Sequence, residues 1–149
     1  MILGPTSATT IFYLPTAPTL CASWHYRNDD AIDKIVADNG NHWRKILVIM
    51  AKLMSPDDDW RQYMASELLK RHEAIVIDAQ ALSANAHRHI VCGQKMWQQL
   101  QLANDNPAKV AESRIIQLPY LDYRQCPNTL IQATREQYLL ADINRKSSE

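Results

Sequence analysis

The sequence predicts a single α/β domain of three layers with a small, mainly parallel sheet. Three observations lead there. Strand-like β-branched runs alternate four times with segments of helical spacing, which is the order of a parallel sheet with helical crossovers. Ile75, Val76 and Ile77 form a β-branched run, which suits a strand better than the middle of one helix from Trp60 to Leu100, the rod that an all-α helical bundle would need. The chain of 149 residues is long enough for one core and cramped for two. Residues 1–149 are therefore expected to form one domain, with 1–8 and 142–149 as frayed tails and an all-α bundle as the alternative.

The first strand is read in "TTIFYLP", Thr9 to Pro15, where β-branched and aromatic residues are closed by proline. "DDAIDKIVADNG" follows as a short helix: Ile32, Ile35 and Val36 share a face, aspartates open it and Asn39-Gly40 stops it. "RKILVIMA" is an unbroken apolar run, expected as a strand covered on both faces. Ser55 and Pro56 have the chemistry of a helix cap and first position, and predict a helix whose stripe is Trp60, Met64 and Leu68. "EAIVIDA", Glu73 to Ala79, is the third strand, and Ala84 to Leu102 the next helix, with Ala86, Ile90, Trp97 and Leu100 at near-helical spacing. "SRIIQLPYL" and "PNTLIQATREQYLLADI" complete the series as strand and helix.

Sixteen Lys and Arg balance sixteen Asp and Glu, so bulk charge gives no reason for non-specific attraction to nucleic acid or an anionic membrane. Cys21, Cys92 and Cys126 are odd in number and widely spaced, with no Cys-x-x-Cys, which argues against a disulfide framework and a zinc ribbon and for a reducing, cytoplasmic setting. "MILGPTSATT" has no basic region or apolar core of a secretory signal, and no window approaches a membrane span.

In parallel sheets ligands bind beyond the carboxyl ends of the strands, which nominates Lys52, Asp57 to Asp59, Asp78, Tyr120, Asp122 and Arg124. A phosphate cradle needs glycines, and there is none between Gly40 and Gly93. Asp78 with Asp57, Asp58, Asp59 or Asp122 could serve a metal-dependent hydrolase, since hard cations want converging oxygens. The plainer reading is that aspartates in a first helical turn stabilise the helix by about 0.3–1 kcal/mol each. His87 and His89 are about 200° apart around a helix and cannot chelate one ion, and His89 with Cys92 supplies only two ligands. Finally, "DAQALSANAHRHIVCGQKMW" can be parsed as helix, turn and recognition helix offering Asn85, His87, Arg88 and Lys95, a winged-helix-like DNA-binding regulator that the sparse basic residues disfavour.

Three stretches together carry a resemblance. "TLCASWHYRND" precedes the first helix, Trp43, Pro56 and Trp60 follow in a Trp…Pro…Trp order, and "HIVCGQKMW" comes later. Across Thr19 to Leu121 the chain resembles, in outline, the SOS-response cell-division inhibitors, RecA-like proteins without a phosphate loop that bind the division GTPase FtsZ. The resemblance implies a binding function through surface helices and strand-end loops. The aromatic supply points the same way, because Trp, Tyr and Arg are the usual anchors of an interface. The function expected is that of a non-enzymatic regulator that binds and modulates a protein partner. Trp24, Tyr26, Trp60, Tyr120 and Arg124 are its contact residues, and one or two of the four aromatics are expected to be exposed. No cofactor is expected, and a homodimer is left open.

Overall fold

The computed structural model describes residues 1–101 and 114–139. Its strands are β1 (Ile2–Leu3), β2 (Thr10–Leu14), β3 (Glu73–Ile77), β4 (Arg88–Cys92) and β5 (Arg114–Leu118). They form one sheet in the order β1-β3-β2-β4-β5. β2 is parallel to β3 and β4, and β4 to β5; only β1 runs antiparallel, with Ile2 opposite Val76 and Leu3 opposite Ile75. The predicted mainly parallel α/β domain is the one observed. The first eight residues do not fray as a whole: Leu3, Gly4 and Pro5 are buried and the Met1 carbonyl accepts from the Ile77 amide. The tail at 142–149 lies outside the described residues.

Alternation along each strand divides the core in two. Phe12, Leu14, Ile75, Ile77, Ile90, Cys92, Ile116 and Leu118 face one cluster, which they share with α1 (Ala31–Asn39), α2 (Asn41–Met54), α3 (Trp60–Ser66) and α5 (Asn128–Thr134). Ile11, Tyr13, Ala74, Val76, Val91 and Ile115 face the other, covered by α4 (Gln94–Gln99) and by Ala79, Leu82 and Ala86 of the β3–β4 connection. The result is three layers, thick on the first face and thin on the second. β2 lies centrally and is buried along its whole length.

Three expectations are corrected. "RKILVIMA" is not a strand but the interior of α2, where Ile46 to Ala51 are all buried between the sheet, α1, α3 and α5. A helix enclosed on all but one narrow edge has almost no polar stripe, so its apolar run looks like that of a buried strand. Second, Pro56 does not begin a helix. It forces Ser55 into an extended conformation, φ −60° and ψ 130°, which ends α2, and α3 starts only after Asp59, whose carboxylate accepts from the Gln62 amide at 3.2 Å. Leu68, expected on the same helix, is buried in the turn beyond Ser66, next to Leu69 at φ +63°. Third, the helix expected over Ala84 to Leu102 is β4 followed by α4. The β-branched Ile90 and Val91 take the strand, and Gly93 at φ +88° makes the corner. The recognition helix parsed from "DAQALSANAHRHIVCGQKMW" is therefore not formed.

Candidate partner-binding face

α2 is amphipathic only along one narrow edge. His42, Lys45 and Lys52 fall within about 80° of one another at 100° per residue, and this edge is bordered by the segment after β5 and by α5. His42 Nε2 and the Tyr120 hydroxyl are 2.8 Å apart with their rings stacked at 5.6 Å. Tyr120 is itself held at the carboxyl end of the sheet, where a side chain at Gly93 would touch its ring at 3.4 Å. Burial raises its phenol pKa. Lys45 and Lys52 both place their ammoniums over the Tyr123 ring, 5.5 and 6.0 Å from its centroid. Lys52 also lies 5.2 Å from the Trp60 centroid and donates to Asn128 Oδ1 at 3.0 Å. Arg61 approaches Trp60 to 4.4 Å.

Below this row a groove of about 310 Å³ is lined by Lys52, Asp57, Asp58, Trp60, Asn128, Ile131, Gln132 and Arg135. Arg135 forms one wall, where α5 widens into a π-helical turn, Arg135–Leu139. It is only 6% exposed; its guanidinium donates to the Ser55 and Asp57 carbonyls at 2.9 and 3.0 Å and to Gln132 Oε1 at 3.2 Å. Among the described residues its carboxylate partner in ion-pair range is the fully exposed Asp58, at 3.7 Å. Trp60 is the ridge between this groove and a second hollow of about 240 Å³ bordered by Asp29, Asp33 and Arg61.

Of the residues nominated from sequence, the fold gathers Trp60 and Tyr120 along this α2 edge and places exposed Arg124 in the same post-β5 segment as Tyr123. Trp24 and Tyr26 belong to the long loop before α1. Trp24 is half-buried, with its indole N–H donating to the Ala31 carbonyl at 2.9 Å, and Tyr26 stacks on His25 at 4.6 Å. All four nominated aromatics are half-buried, so none is as open as expected. Among the described Trp, Tyr and Phe residues the exposed ring is that of Tyr123, at 43%. Sequence reasoning missed the pairing of Lys45 with Lys52 because it read their helix as a strand; at a separation of seven residues they mark one helical edge.

The aspartates do not converge on one point. Asp57 accepts from the Ser55 hydroxyl and the Asp59 amide, Asp59 caps α3, and Asp78 accepts from Gln99 Nε2 at 2.8 Å. Asp122 accepts from the Gln125 and Arg124 amides and Gln125 Nε2, contacts that hold its carboxyl below the usual range. Among the described residues no group of three or more His, Cys, Asp and Glu could hold a metal ion. Other perturbed groups are interior. The Tyr13 hydroxyl lies 2.7 Å from His89 Nδ1 and accepts from the Ser83 amide, and burial lowers the His89 pKa. Cys92 and Cys126 are free thiols pushed up by burial, Cys126 to about 11. No described helix is long and apolar enough to cross a membrane.

A family model described as a family of unknown function (DUF6942) matches residues 1–139. No curated protein and no solved structure matches the chain.

Proposed function

The chain belongs to the DUF6942 family of unknown function, and from the geometry of its charged aromatic face we propose that it is a non-enzymatic regulatory protein that binds and modulates a protein partner. One observation carries the reading: Tyr123 is exposed and flanked by two ammoniums, and one of them, Lys52, also lies over half-buried Trp60 and lines a groove of about 310 Å³. Rigid aromatics set beside cations, each anchored by a contact to the fold, are what interface hot spots are made of. Preorganisation adds to this, since the His42–Tyr120 contact and the Lys52–Asn128 bond hold side chains that would otherwise lose rotamer freedom on binding. A cytoplasmic setting is part of the same proposal, supported by three cysteines that are all free thiols.

Affinity capture from the native host with the wild-type chain and with Tyr123→Ala tests it. A protein retained by the wild type at near-equal stoichiometry and lost with the variant is the expected result. Equal retention by both, or none by either, removes the basis of the reading. The resemblance to division inhibitors makes FtsZ the first purified partner to assay directly.

A further inference from the structure

We infer that the α2 edge recognises an acidic, extended segment of its protein partner, with carboxylates seated on Lys45 and Lys52 and an intervening apolar side chain against Tyr123. The inference rests on the protein-binding reading and adds the chemistry of the partner. Neither ammonium has a carboxylate within ion-pair distance among the described residues, although both come within 6.0 Å of one ring centroid. A ring quadrupole attracts a cation but leaves its charge unneutralised, and Asp122 acts on Lys45 only through space, beyond ion-pair distance, so both ammoniums can still take an anion.

The nearby acids are otherwise engaged. The Asp122 oxygens take two backbone amides and the Gln125 side chain. Asp57 takes the Ser55 hydroxyl and the Asp59 amide, and Asp59 takes the Gln62 amide. Asp58 lies on the Arg135 side of the groove. Seven helical residues separate Lys45 from Lys52 by about 10 Å along the axis. In an extended segment side chains alternate between faces, so i, i+2 and i+4 share one, and i and i+4 are about 13 Å apart at roughly 3.3 Å per residue. Carboxylates at positions i and i+4 of an extended peptide are therefore within reach of the two lysines on their flexible four-carbon stems, and the residue at i+2, on the same face, can meet the Tyr123 ring. Charge matching of this kind sets specificity and association rate more than affinity.

The test is selection of random dodecapeptides displayed on phage against the immobilised full chain, followed by affinity measurement of the enriched peptides. Expected are sequences with Asp or Glu four apart and an apolar residue midway between them. Their affinity should fall at least tenfold for the charge-reversed double variant K45E/K52E and stay unchanged for Lys34→Glu on α1. If the double variant does not fold, the wild type decides: affinity for the acidic peptides should fall at least tenfold from low to high salt. Enrichment of neutral or basic peptides, indifference to the double reversal, or salt-independent binding overturns the inference. So does displacement of the peptides by a twelve-nucleotide single strand, which would make the face a nucleic-acid surface. Neutral peptides that still require Tyr123 would overturn only the acidic specificity; no peptide requiring Tyr123 would remove the protein-binding reading as well.

Discussion

Glu73 opens β3 with its side chain at 0% exposure, its Oε1 accepting from the Tyr63 hydroxyl at 2.6 Å and its Oε2 without a partner. Burial pushes this carboxyl from 4.5 to about 7, against the Tyr63 bond and the Glu73 and Leu69 amides, which pull it down, and with Glu67 raising it further. The folded state thus holds the proton more tightly than the unfolded state. Its contribution is complete below about pH 4.5 and is lost as the pH rises through about 7, a change of roughly 3 kcal/mol. Urea unfolding at pH 5 and pH 8 should show that loss in the wild type and much less of it in Glu73→Gln. Equal pH slopes for the two proteins would rule the assignment out. Thiol chemistry gives a second check at this scale. Cys21 is exposed while Cys92 and Cys126 are buried with raised pKa, so iodoacetamide at neutral pH should label Cys21 alone in the native protein. At the surface, Tyr123→Ala should leave the melting temperature almost unchanged while abolishing partner retention. Trp60→Ala should destabilise by less than the ~3–5 kcal/mol of a fully buried aromatic, because the ring is half-exposed.

α2 shows how an element can be present in the sequence and yet misread. Its buried faces supply Trp43, Ile46, Ile49, Met50 and Leu53 to the core, and its open edge supplies His42, Lys45 and Lys52 to the binding face. The nine consecutive positions from Ile46 to Met54 contain one polar residue, too few to reveal a period, whereas the fourteen-residue span without a breaker between Gly40 and Ser55 is a helix length. Gly40 separates α1 from α2 at φ +78°, with open space around its missing Cβ. Gly40→Ala should therefore cost about 1–3 kcal/mol from backbone strain alone, because ψ −157° puts the joint in a region almost reserved for glycine. A denaturant midpoint equal to that of the wild type would show that the joint relaxes. β3 and β5, by contrast, were legible directly, because Ile75 to Ile77 and Ile115-Ile116 leave little choice but a strand.

Across the whole molecule, the α/β class and the parallel sheet followed from the sequence, but the layer assignment did not. The sequence suggests one helix between successive strands; the structure stacks three between β2 and β3 and none between β3 and β4. The residues that would have revealed this, Pro56 after Ser55 and Gly93 before α4, act through local backbone limits that compete with strong apolar periodicity. Of the candidate face, Trp60, Tyr120 and Arg124 were legible as residue types, while their grouping with Lys45, Lys52 and Tyr123 depended on α2 being a helix. The sheet also has a predictable gradient of stability. Amides of β2, β3 and β4, each paired on both sides, should exchange most slowly with deuterium, and those of the two-residue edge strand β1 faster. Protection that is uniform across all five strands would contradict that gradient.

The Arg135 clamp has one more consequence, in time. Its hydrogen bonds reach back 80 and 78 residues to Ser55 and Asp57, and the Lys52–Asn128 bond closes a loop of similar length. A chain emerging from the ribosome can form α2 long before the groove's other wall exists, so the binding face becomes available only when synthesis has passed Arg135. Any partner that recognises the assembled face then selects finished molecules over nascent ones, and its binding energy adds directly to the stability of the completed domain.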